Sequence, residues 1–201
     1  INEDTYAEEP SGYALVKPDN YKIGQMLAER LIQDDEEQLE NKKIGVILGK
    51  AETEESVDRI AGLKDGLEGS GCEIFWEYNY ARGNQNTSEI IASKKQVDYL
   101  VILDNWALEE VGEAAEENKY HGAKIYGVGS SEKAIVLLDN QNIECLVVPD
   151  DYETGYMSMN EIAKKLRHSF YKMNSCETEV RIINKEDLYS KDLERFLYSY
   201  E

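Results

Sequence analysis

Between Lys43 and Pro149, short apolar strands alternate with helix-length amphipathic segments, and each strand gives way to small or polar residues. Parallel strands need crossovers and helices supply them, so the alternation predicts a doubly wound α/β layer whose loops gather on one ligand-facing edge. Lys43-Ile-Gly-Val-Ile-Leu48 reads as a buried strand, followed by a helix over about Thr53–Glu68 with Val57, Ile60, Leu63, Lys64 and Leu67 marking its inner face and edge. The pattern then repeats: strand Glu73–Glu77, helix Thr87–Ser93, strand Asp98–Leu103, helix Ala107–Asn118, strand Lys124–Val128, helix Ser131–Leu138 and strand Ile143–Val148.

Flanking pieces stand outside this layer. Tyr13-Ala-Leu-Val16 predicts a strand that Pro18-Asp-Asn20 breaks, and Ile23, Leu27 and Leu31 mark a helix running to about Gln33. The charged stretch Asp34–Lys43 reads as a solvated loop. After Pro149 a helix over about Thr154–Lys172 carries Met159, Ile162, Ala163, Leu166 and Phe170 on one face; a strand near Glu179–Ile183 and a helix near Lys185–Tyr198 end the chain. Proline-containing crossings on both sides of the layer are what two lobes joined by hinge strands require.

The 201 residues suffice for one sizeable α/β domain or one plus part of another. With 41 acidic against 22 basic side chains, the net charge of −19 repels phosphate backbones and anionic membrane surfaces, so nucleic acid is not an expected partner. Cys72, Cys145 and Cys176 lack any metal or redox spacing, and no disulfide is expected. No cofactor is expected either: the dinucleotide, P-loop and hydrolase-elbow glycine motifs are absent. His121 and His168 have no spaced metal partners, and Asp34-Asp-Glu-Glu37 lacks the glycine and ligand spacing of a calcium loop. Gly45, Gly49 and Gly62 are best explained by close packing of strands and helices, and Arg59, on a largely apolar helix, by a structural hydrogen-bonding role.

Candidate ligand contacts come from the strand ends. Asp104 closes a buried strand, and Asn105 and Trp106 follow directly. A carboxylate, an amide and an aromatic plate suit a polyol, whose hydroxyls need donors and acceptors while its C–H face packs on a ring; the alternative is that Asp104 caps the next helix and Trp106 packs beneath the loop. In the cluster Phe75, Trp76, Tyr78 and Tyr80, strand alternation leaves Tyr78 or Tyr80 as a further candidate.

Ile44-Gly-Val-Ile-Leu-Gly49, Arg59-Ile-Ala-Gly-Leu63, Val97-Asp-Tyr-Leu-Val-Ile-Leu-Asp104 and Ile125-Tyr-Gly-Val-Gly-Ser130 together resemble the second lobe of type I periplasmic solute-binding proteins. These are the sugar-binding components of ABC importers and share a fold with lac-repressor-type effector domains. Pro149-Asp-Asp-Tyr-Glu-Thr-Gly155-Tyr resembles the segment re-entering the first lobe, and Ile182-Ile-Asn-Lys-Glu-Asp-Leu188 the transporter-type tail. The resemblance implies a three-layer, doubly wound parallel sheet and a C-terminal fragment. Residues 1–18 would be a remnant of the first lobe with a hinge crossing, 19–148 the second lobe, 149–178 the helix re-entering the first, and 179–201 the last hinge strand and helix.

It also implies an extracytoplasmic binding protein, in the periplasm or lipid-anchored at the cell surface, and not an enzyme. Such a protein closes over a small polar, sugar-like ligand and presents itself to a membrane permease or sensor. A cytoplasmic transcription regulator is the alternative; a phospho-receiver, suggested by Val101-Ile-Leu-Asp104 with Ser130, lacks the acidic pair where Gly49-Lys50 stands. Ligand contacts carried over by position are Asn2, Glu3 and Asp104, and Ser130, at the end of the last quoted motif, is a further candidate.

The carried positions depart from the family's pattern. Its Asp-Arg pair becomes Asn2-Glu3, its helix-start arginine falls near Val57, its strand-end Asn becomes Asp104, its Asp after the Gly-x motif becomes Gly129, and its polar residue before re-entry becomes Pro149. Three lost charge-assisted hydrogen bonds amount to about 5–9 kcal/mol, as much as the roughly 8 kcal/mol of micromolar binding. The resemblance therefore implies either a ligand other than an ordinary pentose or hexose, or a degenerate site. A chain without most of one lobe would expose apolar faces, which predicts a homodimer through the exposed lobe face.

Overall fold

Val46 and Ile47 are neighbours in one strand, yet they face two separate cores, and this alternation organises the molecule. The computed structural model describes residues 14–35, 39–50, 52–83, 86–115 and 119–197. In chain order the elements are β1 (Val16–Pro18), α1 (Asn20–Asp35), β2 (Lys43–Leu48), α2 (Glu54–Gly66), β3 (Glu73–Asn79), α3 (Thr87–Ser93) and β4 (Tyr99–Ile102). There follow α4 (Asn105–Ala115), β5 (Lys124–Val128), α5 (Glu132–Asp139), β6 (Cys145–Pro149), α6 (Asp151–Arg167), β7 (Cys176–Thr178), β8 (Val180–Ile183), a 3-10 turn (Lys185–Tyr189) and α7 (Glu194–Leu197).

The main sheet has the order β3-β2-β4-β5-β6-β8, with parallel pairing as far as β6 and β8 antiparallel to it. One face packs Val46, Val101 and Val147 against Ile23, Leu27 and Leu31 of α1 and Leu63 of α2. The other packs Ile47, Ile102 and Val148 against Ile91, Leu108, Ile135 and Phe196. This is the three-layer, doubly wound architecture expected from the sequence.

Glycines let α1 and α2 touch backbone to backbone: a Cβ on Gly24 would lie 2.0 Å from the Arg59 carbonyl oxygen, and one on Gly62 would lie 1.9 Å from that of Tyr21. That contact turns α2 so that Ser56, Arg59, Gly62 and Leu63 face inward and Val57 is left 53% exposed. The inward assignment of Val57 is thus corrected. So is the reading of Asp34 and Asp35 as solvated loop: both belong to α1, where Tyr126 donates to Asp34 (3.0 Å) and Tyr99 to Asp35 (2.7 Å). Buried phenols at the sheet's lower edge need acceptors, and the end of α1 provides them. Cys145 lies in the same core, its thiol pushed up to about 12 by burial, and acts as a small hydrophobe.

The strand expected near Glu179–Ile183 is β8, and a further short strand, β7, which the sequence reading did not include, precedes it in another sheet. β7 pairs in parallel with β1, forming a separate two-stranded sheet, and one residue later β8 joins the main sheet beside β6. Pro18, Pro149 and Glu179 mark three passages of the chain between the sheets. At the passages Asp150 donates its N–H to the Glu179 carbonyl (2.9 Å), the Glu179 N–H donates to Glu153 (3.0 Å), and the Thr154 and Thr178 hydroxyls share a hydrogen bond of 2.8 Å. The expected terminal helix is shorter than its sequence suggests: a 3-10 turn, a break at Ser190, and the single turn of α7.

α6 packs by β1 but turns Tyr152, Tyr156, Met159, Ile162 and Leu166 to solvent, with Phe170 just beyond it. Its far end is tied by the buried Glu161, which accepts from Lys164 (2.7 Å), the Tyr171 hydroxyl (2.9 Å) and the Asn174 N–H (2.8 Å). Those bonds, Lys164 first, hold its carboxyl down at about 2. A depressed folded-state value means stabilisation above the ordinary Glu range that disappears as pH falls toward about 2. Glu161→Gln is accordingly expected to flatten the acid limb of the melting temperature between about pH 4.5 and 2. An acid limb identical to that of the unaltered protein would contradict this assignment.

Candidate functional site

In a parallel sheet that runs outward in both directions from its first strand, the crevice opens where the winding reverses. Here that point lies between the C-terminal ends of β2 and β4, with β5 next in line. Gly49 follows β2, Asp104-Asn-Trp106 follow β4, and Gly129-Ser130 follow β5.

The two glycines form the floor. A Cβ on Gly49 would stand 3.0 Å from Asp104 Oδ2 and 3.2 Å from Ser56 Oγ, and a Cβ on Gly129 would stand 2.6 Å from Asn105 Oδ1. Bare backbone at both strand ends is therefore what lets the carboxylate and the amide lie across them. Asp104 uses Oδ1 to accept the Ala107 N–H (2.8 Å), which caps α4, and Oδ2 makes no hydrogen bond with the described residues. Asn105 donates through Nδ2 to Glu109 (3.0 Å), while its Oδ1 is buried without a partner among the described residues. Trp106, on the first turn of α4, is 46% exposed, and the Arg82 guanidinium lies 3.8 Å from its ring centre.

The capping role and the exposed aromatic plate thus coexist: Asp104 has two oxygens with two environments, and Trp106 does not pack beneath the loop. Ser130 adjoins the group and donates to Asp151 at the start of α6 (2.7 Å), a bond made across a passage between the sheets. Tyr80 directly follows β3 but is only 9% exposed; it packs in the core, where burial first and then Glu110 raise its phenol. Tyr78 is half-buried, its ring 5.3 Å from Lys94 Nζ, on the core face shared by the even-numbered aromatics of β3. Asn2 and Glu3 lie outside the described residues.

Sequence reasoning did not single out Arg82 or Ser56. Ser56 reaches the crevice from α2, and Arg82 does so from the loop after β3, with no motif to mark either. Arg59 is 5% exposed and bonds Asn20 Oδ1 (3.0 Å) and the Leu103 carbonyl (2.8 Å) while pairing with Glu55, which fixes the residue next to Asp104. At the other end of the sheet, a hollow lined by Trp76, Val97, Lys119 and Tyr120 has room for about one water. Among the described residues no group of His, Cys, Asp and Glu could hold a metal ion.

Residues 1–169 match the family described as the periplasmic binding protein domain. No curated protein matches the chain in sequence. Among solved structures, a solute-binding protein of an ABC transporter from Burkholderia graminis C4D1M, in complex with D-arabinose, aligns with a TM-score of 0.79 at 13% identity, over 89% of this chain and 64% of that one. GanP, a glucose-galactose binding protein from Geobacillus stearothermophilus, aligns with a TM-score of 0.75 at 22% identity, over 92% and 67%. XylFII in its complex with LytSN aligns with a TM-score of 0.73 at 16% identity, over 85% and 61%. At these identities the likeness is one of fold, and the chain spans under two thirds of the length of the first and third.

Proposed function

The chain belongs to the periplasmic binding protein domain family, and from that premise we propose that it forms one wall of the ligand cleft in an extracytoplasmic solute-binding protein. The ligand is a small polyol or sugar, and the closed form is read by a membrane permease or a sensor protein. The observation that carries this reading is the β2–β4–β5 edge at the winding reversal, where Asp104 Oδ2 lies across Gly49 and Trp106 is 46% exposed with Arg82 over its ring. Hydroxyls find an acceptor there and a sugar's C–H face finds an aromatic plate. D-arabinose in the Burkholderia relative and the complex of XylFII with LytSN support the ligand class and a protein partner respectively. The family is one of binding proteins, and binding is accordingly the reading.

The division at 18, 149 and 179 follows the three passages between the sheets, and the short β1–β7 sheet with α6 belongs to a first lobe. Tyr152, Tyr156, Met159, Ile162 and Leu166 are the surface such a lobe covers; in its absence two copies of the chain would pair there.

Closure needs contacts from both lobes at once. The 201-residue chain alone is therefore expected to show no rise in melting midpoint with ribose or galactose. The full-length protein with its own sugar at about 100 times Kd gains roughly 2.7 kcal/mol and melts at least about 5 °C higher. A clear rise for the isolated chain would overturn the two-lobe reading. Silence of the full-length protein toward a panel of pentoses, hexoses and inositols would overturn the function itself.

A further inference from the structure

The open polar atom on the crevice floor is a carboxylate oxygen, Asp104 Oδ2. Asp104 makes no ion pair among the described residues, although Lys17 with Glu54, Arg59 with Glu55 and Lys64 with Glu77 show that the neighbouring elements pair theirs. Glu109, Glu110 and Asp151 add to the negative field of this edge, and Asn105, which gives one of its two Nδ2 hydrogens to Glu109, adds a buried Oδ1 acceptor without a partner among the described residues. Two cations stand at the rim, both on long exposed side chains: Lys50 beyond Gly49, and Arg82 over the Trp106 ring. The Arg82 stack shows that the Trp106 ring already takes a cation against its face at 3.8 Å.

We infer that the ligand selected at this edge is an amino-substituted sugar or polyol, and that Asp104 reads its protonated amine. The inference rests on the function proposed above and narrows it. A hydroxyl brings one hydrogen and no charge to Asp104 Oδ2. An ammonium brings three hydrogens and the missing positive charge, so it satisfies the carboxylate and can also reach the Ser56 hydroxyl, which lies on the same side of Gly49. The sugar ring then packs on the part of Trp106 that Arg82 leaves exposed, one residue along α4 from Asn105.

The test is calorimetric titration of the full-length protein with D-galactose, D-galactosamine and N-acetyl-D-galactosamine at pH 7. Galactosamine is expected to bind at least about tenfold more tightly than galactose, and acetylation, which removes the charge and keeps an N–H, to abolish the preference. In Asp104→Asn the galactosamine-to-galactose ratio is expected to fall to near one. Asparagine caps a helix as well as aspartate, so α4 keeps its start, and an unchanged circular dichroism melt verifies that. Equal affinity for the amine and the neutral sugar, or a ratio that survives Asp104→Asn, overturns the inference while the proposed function stands. Binding of none of the three overturns it as well, and the panel of neutral sugars then decides whether the function falls with it.

Discussion

Arg59→Ala is expected to destabilise the fold by about 3–5 kcal/mol, the cost of stripping one partner from a buried ion pair. Its guanidinium lies between two helices and a strand end, reaching Glu55 along its own helix, the Asn20 amide at the start of α1 and the Leu103 carbonyl at the end of β4. Truncation leaves all three acceptors facing a void, and burial makes each unsatisfied group cost about 1–3 kcal/mol. Arg59→Lys should recover little, because one ammonium cannot span the directions the planar fork covers. Urea unfolding followed by far-UV circular dichroism measures the loss; a change below about 1 kcal/mol would mean that water replaces the guanidinium without penalty. Leu103 immediately precedes Asp104, so the same substitution loosens the strand end that aims the carboxylate. Ligand affinity should fall even in solutions where the variant remains folded.

The layer was legible in the sequence because its two periods are clean. Lys43–Leu48 and Lys124–Val128 are apolar runs bounded by small residues, and the crossovers between strands repeat at a helical period. The place of Asp104-Asn-Trp106 was legible for the same reason, since a polar group after a buried strand in such a layer must lie at the C-terminal edge of the sheet. The short strand β7 before the expected strand was not legible: one residue, Glu179, parts it from β8, and only pairing partners distant in sequence tell the two sheets apart. Asp34 and Asp35 read as solvent-facing because their phenol partners come from strands more than 60 residues away. Arg82 and Ser56 escaped notice because the crevice is assembled from four segments, and a side chain's neighbours across such an edge leave no local spacing. Gly49 and Gly129 were visible as residues, but what they make room for was not.

Gly62→Ala and Gly155→Ala replace a helical glycine in the same way and are expected to act with opposite sign. Alanine favours a helix interior over glycine by about 1 kcal/mol, which is the whole of the effect wherever the new methyl group meets nothing. At Gly155 in α6 no atom lies within 4 Å of the added carbon, so the 201-residue chain should gain about 0.5–1 kcal/mol. At Gly62 the carbon would stand 1.9 Å from the Tyr21 carbonyl oxygen and 2.8 Å from the carbonyl carbon. Main chain cannot rotate aside as a side chain can, so α1 and α2 must separate by roughly 1.5 Å, loosening the packing of Ile23, Leu27 and Leu63. Overpacking of that kind costs about 1–3 kcal/mol and more when backbone is the obstacle, which outweighs the propensity gain and leaves a net loss of about 2 kcal/mol. A stabilised Gly62→Ala variant would show that the helices are not in backbone contact. The Gly155 position reads the architecture as well. If a first lobe seats on the open face of α6, the methyl group that helps the isolated chain meets that lobe in the full-length protein, and its effect on stability there reverses.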